Sequence, residues 1–296
     1  MKKFGWIQTL LFAVIVVVTA PQISSQLVAL DATAADGFVA SAQDKDKDKH
    51  KDGHKDEHTT YKDSEFTEKD EVRQSYQLTP GATVRVAGIN GAVEVETTGG
   101  STAEVHIVRS ARSRADLEFR KVIVEHTGSS LVVRGENDQE RRYDHYRNPQ
   151  VRQRVTLRLP RQIDFTASGV NGKTTVGEVD GPVKLSGING RVEVAQAVGY
   201  SELSGINGAV VVTIAQLGER GIRVSGINGS VELRFSEALN ADLKVTGING
   251  SVNADMPNVV VQGTVSRNNF NARIGSGGSP ITVSGVNGRV RLMPRS

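Results

Sequence analysis

The chain has 296 residues, with 31 glycines, 5% aromatic residues, no cysteine and a formal net charge of +3. Without cysteine it has no disulfide framework, no thiolate metal site and no cysteine to carry a lipid anchor. So small a positive charge leaves no electrostatic footprint for nucleic acid, and none is expected as a partner.

In chain order, the first feature is an apolar run. Lys2 and Lys3 precede Leu10-Leu11-Phe12-Ala13-Val14-Ile15-Val16-Val17-Val18, which fits the hydrophobic region of an export signal. Residues 1–35 are read as a signal peptide, or as an N-terminal membrane anchor if uncleaved, since Phe4 to Ala20 is nearly long enough to span. Val18-Thr19-Ala20 offers small residues for cleavage but is followed by Pro21, and Ala32-Thr33-Ala34 lies far downstream. An exported protein is expected, at the cell surface, in a periplasm or outside the cell, touching the membrane only through an uncleaved N-terminus.

Residues 36–74 read as a charged, disordered linker. Asp44 to His58 holds no apolar residue and cannot bury a core. His50, His54 and His58 recur every fourth residue, so a helix would align them for a metal. The solvated spacer is the preferred reading, and neither metal nor cofactor is expected. A calcium loop counted from Asp44 fails, because Lys49 stands where Gly belongs and Lys55 where Glu belongs.

Residues 75–296 read as β structure throughout. The part 75–160 is irregular and suits a cap. Val84-Arg85-Val86 and Val93-Glu94-Val95 flank a first Gly88-Ile89-Asn90-Gly91 motif, and further strands follow at Glu104–Val108, Lys121–Val124 and Ser130–Val133. A polar loop from Gly135 to Gln150 interrupts them. It sits in a stretch, Arg109 to Arg161, where twelve Arg and one Lys face seven acids. Within it, Arg141, Arg142, Tyr143, Tyr146 and Arg147 suit a sulfated or carboxylated glycan or an acidic envelope polymer. An ordinary basic loop is the competing reading.

The part 161–296 is a regular array. Gly-(Ile/Val)-Asn-Gly recurs with its asparagine at Asn171, Asn189, Asn207, Asn228, Asn249 and Asn287, after Asn90 in the first motif. From Gly169 the first glycines follow at steps of 18, 18, 21, 21 and 38. The long step predicts a degraded copy, found at Val265–Ile274 with Asn269 as its asparagine. Period-two alternation of aliphatic and polar residues flanks each motif, as in Ile222-Arg223-Val224 and Val231-Glu232-Leu233, so one face is buried and one is wet.

Two geometries compete for this pattern. Asn-Gly between alternating runs is a hairpin signal. Constant sequence at one corner and variable joints at the other instead suit stacked coils. The expected fold is all-β, a parallel β-solenoid with repeats of about 18–21 residues. Stacking in order would bury Ile188, Ile206, Ile227 and Ile248 in one interior column and set the asparagines in another, as a structural amide ladder.

Candidate chemistry is sparse. Ala167–Thr174 nearly spells a phosphate-binding loop, but it is one copy of the repeat and no helix pattern follows. The acids sit at equivalent outward positions, as Glu193 and Glu232 do, and His106, His126 and His145 are scattered. No catalytic residues are assigned.

The repeats, the alternation and the export signal resemble the bacterial adhesin families that include the auto-transporter adhesin "head GIN" domain. The resemblance spans roughly residues 80–296. It implies a right-handed, pectin-lyase-like β-helix without the lyase's catalytic residues, and a role in surface adhesion or envelope interaction rather than an enzyme. Two alternatives are a carbohydrate-active enzyme on the same scaffold and a membrane-tethered envelope-stress or scaffolding component.

Overall fold

The computed structural model describes residues 65–137, 150–196, 199–214, 216–236, 239–255, 259–266 and 269–295. All belong to the compact unit Thr59–Ser296. The apolar N-terminal run, His50, His54, His58, and the loop residues Arg141, Arg142, Tyr143, Tyr146 and Arg147 lie outside the described residues.

Among the described residues the protein is all-β, with one six-residue helix. The first strands are β1 (Glu68–Gln77), β2 (Ala82–Ala87), β3 (Gly91–Thr98) and β4 (Thr102–Ala111), then helix α1 (Arg114–Phe119). Next come β5 (Arg120–Thr127), β6 (Ser130–Asn137), β7 (Val151–Pro160), β8 (Ile163–Ser168) and β9 (Thr174–Val179). The repeats supply β10 (Val183–Asn189), β11 (Val192–Gln196), β12 (Ser201–Asn207), β13 (Val210–Ile214), β14 (Ile222–Asn228) and β15 (Val231–Phe235). The chain ends with β16 (Ala241–Ala254), β17 (Val259–Ser266), β18 (Asn269–Ile274) and β19 (Ser279–Pro294). No helix among the described residues is long and apolar enough to cross a membrane.

β1 starts inside the segment read as linker. Its charges alternate around Val72 and Tyr76, which pack on the core, and it pairs antiparallel with β4 along its length. The linker reading missed it because a strand with one wet face needs few apolar residues.

The centre of the sheet is parallel and in register, apart from one shift between β9 and β11 at Val194–Gln196. β8, β10, β12, β14, β19 and β16 lie side by side in one ladder, and β9, β11, β13, β15 and the later parts of β19 and β16 form the second. β2 and β6 extend the first ladder beyond β8, and β3 and β7 extend the second beyond β9. Both ladders turn their aliphatic residues onto one core, filled at the centre by Phe165, Leu185, Ile206 and Phe235. Burial follows the alternation, so in β10 Val183 and Leu185 are inside while Lys184 is outside.

The sheet is nevertheless mixed, not wholly parallel as the repeats alone predict. β5 runs antiparallel to β6, β4 to β7 and β1 to β4 at one end. At the other, β18 runs antiparallel to β16 and β17 to β18. The stretch read as a degraded coil is thus a reversed strand, and Asn269 sits opposite Thr246 instead of joining the asparagine column. In the sequence this copy lacks both motif glycines, with Arg267 and Phe270 at their positions.

The stacking order also departs from chain order. β19 lies between β14/β15 on one side and β16 on the other, so Val286 separates Ile227 from Ile248 in the buried column. The first motif, far back in the chain, stacks directly on the second, with Asn171 N donating to Ile89 O at 2.8 Å.

Candidate functional site

Each Gly-Ile-Asn-Gly corner is built from four distinct requirements. The first glycine takes the left-handed region, at φ 59° in Gly187 and Gly205, where side chains are disfavoured. The Ile or Val is buried. The second glycine faces the backbone of the next corner. A Cβ on Gly208 would lie 2.3 Å from the carbonyl oxygen of Gly190, so no side chain fits.

The asparagine points outward. Asn171, Asn189, Asn207, Asn228, Asn249 and Asn287 are exposed, which corrects their expected interior position. The reason is parity, because the left-handed glycine shifts the alternation and buries the Ile just before the Asn. Their amides still form a continuous column on the surface. Asn249 donates to Asn287, Asn287 to Asn228, Asn228 to Asn207, Asn207 to Asn189, Asn189 to Asn171 and Asn171 to Asn90, at 3.0–3.2 Å, always from Nδ2 to Oδ1. At the far end Asn90 Nδ2 donates to Val151 O at 3.0 Å. The buried Gln153 closes the column by accepting from Asn90 N through its Oε1 at 2.8 Å.

That end opens into a groove of about 820 Å³ on the outer face of β3, β7 and β4. Asn90 and Asn171 line it, with Glu94, His106, Arg152, Arg154 and Phe66 among the rest. Strand register sets the positions: Glu94 lies beside Thr156 and Thr156 beside His106, while Arg154 lies between Ala92 and Val108. Arg152 is held over the Phe66 ring with its guanidinium carbon 4.0 Å from the centroid. His106 Nε2 is 2.9 Å from Glu71 Oε1. The hydrogen bond from Arg73, with that of His106, holds the Glu71 carboxyl below its ordinary value despite the opposing effect of desolvation. Arg154 is exposed and has no acidic partner among the described residues.

Arg141, Arg142, Tyr143, Tyr146 and Arg147 fall in sequence between β6 and β7, outside the described residues; Gln150 and Val151, which follow them in the chain, line this groove. Sequence reasoning singled out that loop but passed over Arg152 and Arg154, which look like ordinary outward strand residues. The available signal was their two-residue spacing directly after the loop. His106, read as scattered, belongs to the groove, whereas His126 stacks on Tyr76 outside it. Lys173 of the false phosphate loop pairs with Glu193 at 3.0 Å, and Arg191 pairs with the same carboxylate at 2.6 Å. Among the described residues no cluster of His, Asp or Glu could hold a metal ion.

No protein-family model matches the chain, and no curated protein matches it. Solved structures do share features of its shape. One is a candidate cell adhesion protein from Clostridium sporogenes, 12% identical, matching 77% of this chain and 100% of that one at a TM-score of 0.32. Another is a candidate adhesin from Bacteroides fragilis, 11% identical over 75% of this chain and 97% of that one, TM-score 0.26. A third is a candidate lipid-binding protein from Parabacteroides distasonis, 9% identical over 77% and 97%, TM-score 0.23.

Proposed function

We propose that the chain is an exported, non-enzymatic β-solenoid of the right-handed β-helix kind, acting in surface adhesion or cell-envelope interaction by binding an anionic glycan or envelope polymer. The parallel ladder from β8 to β14, advancing by 18 or 21 residues per coil, supports the solenoid reading. The apolar run Leu10–Val18 supports export.

One observation carries the binding reading: Arg154 stands exposed, without an acidic partner among the described residues, in a groove it shares with Arg152 and two outward amides. Its guanidinium offers a planar fork to a carboxylate or sulfate, and Asn90 and Asn171 offer amide groups to sugar hydroxyls. Binding fits better than hydrolysis. Among the described lining residues Glu94 is the sole carboxylate, whereas glycoside hydrolysis uses two.

The test compares elution of the full chain from immobilised heparin and from a polyuronate at moderate salt. Arg152→Ala with Arg154→Ala is expected to elute at clearly lower salt than wild type. An Arg141→Ala, Arg142→Ala, Arg147→Ala variant, at the basic residues that precede β7 in the sequence, is expected to do the same. Elution of both variants with wild type would refute the reading.

A further inference from the structure

Among the described residues the two ladders end in four edges, β1 and β5 at one end and β17 and the later part of β16 at the other, and of these β17 carries exposed valines. Among the described residues β1 pairs only with β4, and β5 only with β6. Both carry alternating charges, Glu68, Lys69, Asp70, Glu71 and Arg73 on the former and Arg120, Lys121 and Glu125 on the latter. Charged edges resist pairing with another chain. At the opposite end, among the described residues, β17 pairs only with β18. Its whole span, Val259 to Ser266, holds no charged residue.

β17 also presents the exposed large hydrophobic residues found among the described residues, Val260 at 62% and Val261 at 45%. Val261 lies opposite Ala272 and Val259 opposite Ile274, both buried, so Val261 stands on the core-facing side. It stays open because the first ladder continues past β16 through β18 and β17, while the second ends at β16. β18 is thus still covered on its inner side, through Phe270, Ala272 and Ile274, and Val259 of β17 packs partly against the core, while Val261 stays exposed at its margin.

We propose that β17 pairs antiparallel with β17 of a second copy, joining two molecules end to end. The chemistry of the edge selects this occupant. A charged strand would bring its charges against valines, whereas a second copy brings the same uncharged, apolar edge. A two-fold axis perpendicular to the sheet keeps outer face with outer face, so the only registers available place each residue opposite one of like orientation. Centred on Val260, the register sets Val260 against Val260 of the partner subunit and Val259 against Val261 of the partner subunit. Each of the three valines then gains a valine as cross-strand neighbour. The pairing consumes both edges, so the assembly closes at two. The register break after Gln262 confines the contact to a short run, and the dimer is correspondingly modest in affinity.

The absence of native cysteine makes the test direct. Directly opposed residues in antiparallel strands have Cβ atoms about 4.5–5.5 Å apart, within a small adjustment of disulfide geometry. In the full chain, Val260→Cys is expected to form a covalent dimer on mild oxidation at least tenfold faster than Lys121→Cys on β5. By sedimentation, wild type is expected to be dimeric at high micromolar concentration. The Val260→Lys, Val261→Lys variant should be monomeric with an unchanged far-ultraviolet circular dichroism spectrum. Should the lysine variant unfold, the cysteine rates decide. The proposal fails if Val260→Cys links no faster than the control, if wild type is monomeric, or if it forms assemblies larger than two.

Discussion

On the outer surface Asn207 donates its side-chain amide to Oδ1 of Asn189 at 3.1 Å, one residue beyond the point where Ile206 stacks on Ile188 inside. The two neighbours contribute very differently to stability. Asn207→Ala removes two exposed hydrogen bonds, each contributing about 0.5–1.5 kcal/mol at most, and water can replace both. Ile206→Ala leaves a cavity in a dense core and is expected to cost about 2–5 kcal/mol. Chemical denaturation should therefore place Ile206→Ala far below Asn207→Ala in midpoint.

The two glycines of one corner should also separate. Gly205 has room for a side chain, its nearest would-be contact being Gly187 N at 3.6 Å, but it holds φ 59°. Gly205→Asn is expected to cost less than about 2 kcal/mol, because Asn visits the left-handed region comparatively easily. Gly208→Ala drives a Cβ to 2.3 Å from the Gly190 carbonyl oxygen, and backbone on both sides must move. Thermal unfolding should show Gly208→Ala as clearly the more damaging, although alanine is the smaller residue.

Glu193 predicts an acid-side effect. Partial desolvation pushes its carboxyl up, but hydrogen bonds from Lys173 and Arg191 outweigh that and hold it below the ordinary 4.5. The folded state therefore binds this proton less readily than the unfolded state. The stability it contributes is present above pH 4.5 and is lost as pH falls through the lowered folded value. Glu193→Gln should be less stable than wild type at neutral pH, with the gap closing on acidification below pH 4.5. Urea midpoints measured from pH 7 downward check this, and a gap constant with pH would contradict it.

Removing residues 279–296 should not merely shorten the stack. β19 holds β14 and β15 on one side and β16 on the other. Hydrogen exchange in the truncated chain is expected to show lost protection across β16 and β18 but retained protection in β10 to β13. Repeat arrays lose stability locally, through nearest-neighbour contacts.

Much of this architecture was legible from residue pattern. The period placed the corners, and the alternation identified Leu185, Val224 and Leu233 as core, because both signals depend only on local backbone parity. The asparagine orientation was not legible, since a single positive φ at the preceding glycine reverses which face the next residues take. Nor was the insertion of β19 beside β14. Coils with nearly identical edges have nearly identical pairing energies, so their order depends on the connecting segments and not on the motif. The groove escaped for a related reason: Arg154 and His106 meet only through the antiparallel pairing of β7 with β4, which no repeat spacing encodes.

The uniform direction of the asparagine column has an electrostatic consequence. Six successive side-chain amides donate the same way, from Asn249 toward Asn90, and Asn90 continues the sense by donating to Val151. Aligned amide dipoles add, as they do along a helix, and leave partial positive charge where the donors point. That pole lies at Asn90, in the wall of the groove that holds Arg152 and Arg154. The column thus polarises the molecule along its stacking direction, with its positive pole at the groove end and its negative pole at Asn249.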